Sequence, residues 1–165
     1  MSVCVLGIDP GSRRTGYGII QIEKSNVQCL THGHIATNAD DLSQRLWQIH
    51  QGLTAVIQEF QPQEAAVEQV FVHQNPQTAL KLGQARGAAL VAVAGYALTL
   101  AEYTPRQIKQ SVVGYGAAEK VQVQQMIKSL LNLPKAPQAD AADALAIALC
   151  HCYHRQYSLK LAKCL

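Results

Sequence analysis

Apolar and polar positions along the chain fall into three kinds of pattern. Residues 3 to 9, VCVLGID, are apolar and β-rich, and TGYGIIQIE and VQCLTHGHIA read as two further strands separated by a polar turn at Lys24, Ser25 and Asn26. Three adjacent antiparallel strands are expected. Beyond the polar TNADD, apolar residues recur at Leu42, Leu46, Ile49, Leu53, Val56, Ile57 and Phe60, the spacing of one helical face. Asp40 or Asp41 can cap that helix, and Pro62 lies just past its end. EAAVEQV then reads as a short strand. NPQTALKLGQARGAALVAVAGY reads as a helix whose C-terminal half is apolar all round and so expected to be buried. Gly83 and Gly87 sit four apart on one face of it, where another backbone could come close. ALTLAEY is a further strand. Thr104 and Pro105 open a short helix to Val113, which Gly114 and Gly116 break; Glu119 to Leu131 forms another. After the proline-punctuated NLPKAPQA, a last helix starts at Asp140 and reaches about Arg155.

The order β-β-β-α-β-α-β-α-α-α predicts an α/β fold, a mixed five-stranded sheet with helices on its faces. At 165 residues and 48% hydrophobic composition the chain suits one domain with a full core. We place that domain at 1–155 and a C-terminal tail at 156–165. There is no apolar run of about 18 residues and no secretory leader pattern, which predicts a non-membrane, cytoplasmic protein. Five cysteines, Cys4, Cys29, Cys150, Cys152 and Cys164, have no paired spacing, as expected of reduced thiols.

Charge adds a partner class. The net charge is only +3, but between Asn75 and Pro134 six basic residues face two acidic ones. Such a surface suits a polyanion, and it equally suits ordinary solvated helix faces.

Four carboxylates change the picture. Asp9 ends the first strand, Glu68 lies near the end of the fourth, and Asp140 and Asp143 share the first turn of the last helix at i, i+3. If the first and fourth strands are neighbours, one packing event brings all four together. Taken singly, Asp140 and Asp143 could cap a helix, Glu68 could face solvent by strand alternation, and Asp9 in DPG could serve a turn. Together they would repel, and divalent cations resolve the repulsion. Oxygen-only donors favour Mg²⁺ or Mn²⁺, and two ions about 4 Å apart are a common device for in-line displacement at phosphorus. With the four neutralised, the seven other acidic residues face fourteen basic ones, a net charge of +7. Cys150 and His154 have a spacing that can hold zinc, but no second ligand pair accompanies them.

The blocks LGIDPGSRRTGYG, AVEQVF, ALKLGQARG, RQIKQSVVG, AEKVQVQ and PQADAADALAIA, in colinear order over residues 3 to 152, together resemble the RuvC-type crossover junction endodeoxyribonucleases, the bacterial Holliday junction resolvases. The resemblance implies a ribonuclease H-like fold and a homodimer. It also implies two Mg²⁺ per site, with Mn²⁺ able to substitute, and paired symmetric cuts in opposed strands of four-way junction DNA. On that basis Asp9, Glu68, Asp140 and Asp143 are the metal-binding and catalytic residues. Lys109, Lys120, Arg13 and Phe71 are the DNA-binding ones, Phe71 as an aromatic contacting bases. The helix carrying Gly83 and Gly87 would form or border the dimer interface, and RuvA and RuvB branch-migration proteins would be partners. Competing readings are an RNA-processing nuclease of the YqgF type, one lobe of an actin-like ATPase, and a nucleic-acid-binding module without activity. The last would not need the four carboxylates.

Overall fold

The computed structural model describes residues 2–24, 26–70 and 75–162. Its elements are β1 (Ser2–Asp9), β2 (Arg14–Glu23), β3 (Asn26–Ala36), α1 (Leu42–Phe60), β4 (Glu64–Glu68), α2 (Pro76–Gly95), β5 (Thr99–Tyr103), α3 (Pro105–Val113), α4 (Lys120–Leu130) and α5 (Ala139–Ala162). The five strands form one sheet in the order β3-β2-β1-β4-β5. β1, β2 and β3 run antiparallel, whereas β4 pairs parallel with both β1 and β5. This is the mixed sheet of the ribonuclease H-like α/β fold, and the element order matches the one read from sequence.

Helices cover both faces. Leu6, Ile8, Ile19 and Val67 pack on one side with Ile49, Leu53, Ala85 and Ala89 of α1 and α2. On the other side Val5, Ile20 and Ala66 pack with Ile108, Val123, Ile127 and the apolar stretch Leu145 to Cys150 from α3, α4 and α5. β4 therefore has no solvent face: Ala65, Ala66 and Val67 are each fully buried. Strict alternation fails there because the strand is central and sandwiched.

The helix ends follow local chemistry. The Asp41 carboxylate accepts from Gln44 N–H at 3.1 Å, Asn75 caps α2 ahead of Pro76, and Thr104 forms a capping box with Gln107 ahead of Pro105.

Two helices depart from expectation. The C-terminal half of α2 is not buried all round: Val91 is 62% exposed there, as Leu80 of the first half is at 63%. They share one face with Gly83 and Gly87, and a side chain added at either glycine would meet nothing within 4 Å. α5 continues past Arg155 to Ala162, since no glycine or proline interrupts the chain after Asp140.

Gly16 lies inside β2, in register with Asp9, as the strand reading of TGYGIIQIE requires. A Cβ on Gly7 would stand 2.1 Å from the Ala144 carbonyl oxygen, and one on Gly16 would stand 2.0 Å from that of Asp140. The missing side chains let α5 lie directly on β1 and β2. Its contacting residues are small too: Ala141, Ala142, Ala144 and Ala148 are essentially fully buried.

Candidate active site

β1 stops at Asp9 because Pro10 follows, which has no N–H for a ladder and favours a turn. In the parallel pairing of β1 with β4, Ile8 stands beside Val67, so the next residues, Asp9 and Glu68, end neighbouring strands side by side. α5 begins at this same edge, its first turn seated on Gly16, and brings Asp140 and Asp143 with it. A cleft of about 300 Å³ opens here, lined by Asp9, Glu68 and Asp143, by Lys109 of α3 and Lys120 of α4, and by apolar side chains including Ile108, Val123 and Ile147. Asp140 does not line it. Its charge is nonetheless felt by both Asp9 and Asp143.

The electrostatics carry the mark of carboxylates held together. Burial, followed by repulsion from Asp143, Glu68 and Asp140, pushes Asp9 from the ordinary 3.8 up to about 8, against a smaller opposing pull from Lys120. Glu68 is raised by burial and then by Asp143, with Lys120 and Lys109 opposing. Asp143 is likewise raised by burial, with Asp140 adding and both lysines opposing. The Lys120 ammonium stands 3.8 Å from Asp143, but its side chain is 79% exposed, so that contact is weak and the cation is available to another anion.

Among the described residues, no three His, Cys, Asp or Glu side chains are already gathered as a ready-made ligand set. The donors nevertheless fit a hard divalent cation: they are all carboxylates, three of the four line one cleft, and each raised one is destabilised as an anion by burial and its neighbours. A divalent ion would offset both effects.

The other expected residues divide. Arg13 is exposed on the β1–β2 turn and does not line the cleft; its carbonyl accepts from Thr37 N–H at 2.9 Å. Phe71 lies outside the described residues. Cys150 and Cys152 are buried, and Ser111 donates to Cys150 Sγ at 3.2 Å. His151 of the same segment bonds Glu64 at 2.7 Å and Tyr103 at 2.9 Å, so it serves the packing of α5 on the sheet. Sequence reasoning missed the seat that Gly7 and Gly16 provide. The signal was present as glycines in strand-like stretches facing an alanine-rich helix.

A mixed ribonuclease H-like sheet with acidic side chains at the ends of β1 and β4 and at the start of α5 defines a class, the metal-dependent nucleases of that fold. Comparison with known proteins narrows it. A family model described as crossover junction endodeoxyribonuclease RuvC matches residues 5–151. A crossover junction endodeoxyribonuclease RuvC from Coxiella burnetii is 60% identical over 157 residues, 95% of this chain and 91% of the relative. One from Tolumonas auensis is 55% identical over 158 residues, 96% and 91% of the two chains. The solved structure of T. thermophilus RuvC in complex with Holliday junction substrate superposes with a TM-score of 0.88 at 33% identity, covering 94% of this chain and 96% of that one. The yeast mitochondrial Holliday junction resolvase shares the fold, with a TM-score of 0.65 at 16% identity. The chain belongs to the RuvC family of crossover junction endodeoxyribonucleases, nucleases that act on phosphodiester bonds and require a divalent metal.

Proposed function

We propose that this protein resolves four-way DNA junctions by paired, symmetric cuts, with Asp9, Glu68, Asp140 and Asp143 holding two Mg²⁺ ions and Mn²⁺ able to replace them. The observation that carries this is the cleft at the ends of β1 and β4, where three of these carboxylates and two lysines line one space of about 300 Å³. Bound cations would supply activation of water and stabilisation of the leaving 3′ oxygen. The chain's own residues do the rest. The sheet fixes Asp9 and Glu68 side by side at the ends of adjacent strands, so neither needs to be ordered when substrate arrives. Lys109 and Lys120 approach from α3 and α4 and neutralise phosphate oxygens flanking the cut, with Arg13 and Phe71 as further DNA contacts. Ile108, Val123 and Ile147 form an apolar wall that limits water and strengthens every charge interaction in the cleft. The products would be a 5′ phosphate and a 3′ hydroxyl, which a ligase can rejoin.

Paired cuts follow if the protein is a homodimer, because an isologous pair offers two equivalent sites to a nearly two-fold junction. The exposed face of α2 supports this: Leu80, Gly83, Gly87 and Val91 form an apolar stripe whose glycines leave room for a second backbone. RuvA and RuvB are the expected branch-migration partners, and the work on DNA belongs in the cytoplasm. Among the described residues no helix is long and apolar enough to cross a membrane.

The test is incubation with Mg²⁺ and labelled four-way junction, duplex DNA and structured RNA side by side. Symmetric, ligatable nicks confined to the junction are expected. Cleavage of the RNA instead would move the protein to the RNA-processing class.

A further inference from the structure

A second cleft, of about 470 Å³, lies on the opposite face of the sheet from the α3, α4 and α5 wall, between the N-terminal halves of α1 and α2. Leu42 and Leu46 of α1 and Leu80 of α2 give it apolar surface, and Arg45, Gln77 and Lys81 add polar reach. Ser12, in the β1–β2 turn, forms its near edge. Ser12 is three residues from Asp9, and three residues of chain span at most about 11 Å. The groove thus begins within roughly three nucleotides of duplex rise from the acidic cleft.

Its charge is uncommitted to protein carboxylates. Among the described residues neither Arg45 nor Lys81 forms an ion pair. Arg45 is held in place by its neighbours' carbonyls: Nε donates to Ala39 at 2.6 Å and Nη2 to Asp40 at 3.1 Å. That leaves the Nη1 edge of the guanidinium with no bond among the described residues. The nearby Asp41 carboxylate is occupied by Ser43 and by the first turn of α1. Lys81 is exposed on α2.

We propose that this groove binds the DNA strand as it leaves the acidic cleft, with Arg45 and Lys81 on its phosphates and Leu42 and Leu46 against sugar and base. The proposal rests on the nuclease reading and adds a second contact surface to it. Two features favour DNA over a protein segment. The cationic groups converge on a groove that also offers an amide, the side-chain set that contacts phosphate oxygens. The groove also starts at the turn that follows β1, its Ser12 lying three residues along the chain from Asp9 of the acidic cleft. A strand passing over Asp9 then has lysines from α3 and α4 on one side of the turn and Arg45 with Lys81 on the other.

The test uses the whole protein, a labelled four-way junction in Ca²⁺ to prevent cutting, and binding measured across salt concentrations. Lys81→Gln should lower affinity about three- to ten-fold at 100 mM salt and reduce the slope of log K against log salt by about 0.9. Lys24→Gln, at the far end of the sheet, should change neither. A junction carrying photoreactive uracils beside the cut should crosslink to residues 42–46 or 77–84. The groove is wrongly assigned if Lys81→Gln keeps the parent's affinity and slope, or if crosslinks fall only elsewhere. A Lys81→Gln protein that binds DNA normally but loses a branch-migration protein would overturn it in favour of a protein partner. Should the parent itself show no salt-dependent junction binding, the nuclease reading fails and the groove with it; failure of the variant alone removes only the groove.

Discussion

Replacing Gly16 with alanine adds one methyl group to the seat on which α5 carries its two aspartates. The new Cβ would stand 2.0 Å from the Asp140 carbonyl oxygen and 2.6 Å from its carbonyl carbon, whereas ordinary contact begins at 3.4 Å. Both atoms are backbone, so no side-chain rotation relieves the clash, and the start of α5 must retreat by roughly 1.4 Å, the gap between observed and ordinary contact. Overpacking of this kind costs about 1–3 kcal/mol, a fall in Tm of roughly 2–12 °C for a chain this size. A misplacement of about 1 Å in a catalytic constellation costs on the order of 10²-fold in rate. Single-turnover cleavage of a labelled junction in Mg²⁺, with thermal unfolding alongside, measures both. Gly18→Ala is the graded partner: its Cβ would meet Leu145 side-chain carbons at 2.6 and 2.8 Å, and they can rotate, so stability should fall with a smaller rate loss. Gly95→Ala is the control, since nothing lies within 4 Å, and it should be neutral or slightly stabilising. A Gly16→Ala protein that cuts at the parent's rate would refute the claim that this contact sets the position of the acidic residues.

Asp9→Asn should stabilise the protein in chelator. An acid raised from 3.8 to about 8 keeps a proton in the folded state that the unfolded chain has lost, so its contribution to stability declines as pH rises between those values. Allowing for water at the open cleft, about 1–3 kcal/mol should be regained at pH 7 and nothing near pH 4, read by calorimetric unfolding at both pH values. Glu64→Gln should act in the opposite sense. Burial raises Glu64, but the hydrogen bonds from Arg155 and His151 more than offset this and hold it below its ordinary value. Its stabilisation is therefore present above the unfolded value of 4.5 and lost as pH falls through the folded one. Urea unfolding should show Glu64→Gln weaker by about 1–3 kcal/mol at pH 7, with the difference closing in acid. Gly87→Arg should place a charged side chain on the apolar stripe of α2 and convert a dimer to monomer in sedimentation; an unchanged mass would remove that face from the interface.

Much of the layout can be read directly from the chain. Terminal residues such as Asp9 and Glu68 follow from strand punctuation, because Pro10 must end a ladder, and the parallel pairing of β1 with β4 then puts them together. Asp140 and Asp143 follow from helical spacing. Three features resist such reading. The glycines of β1 and β2 read simply as strand residues, because what they accommodate, the backbone of α5, lies more than a hundred residues away. The exposed face of α2 looks like core because apolar residues encircle the C-terminal half of that helix, and periodicity cannot tell an exposed apolar face from a buried one. The groove of Arg45 and Lys81 requires α1 and α2 to be packed side by side, which neither pattern alone states.

The most direct test of the acidic site is to compare cutting with binding in Asp9→Asn, Glu68→Gln and Asp140→Asn, using the same labelled junction with Mg²⁺ for cleavage and Ca²⁺ for binding. Each variant should lose cleavage and keep junction affinity, since the cation ligands go while the basic surface remains. A variant that still cuts at the parent's rate would contradict the assignment of that residue to the metal site.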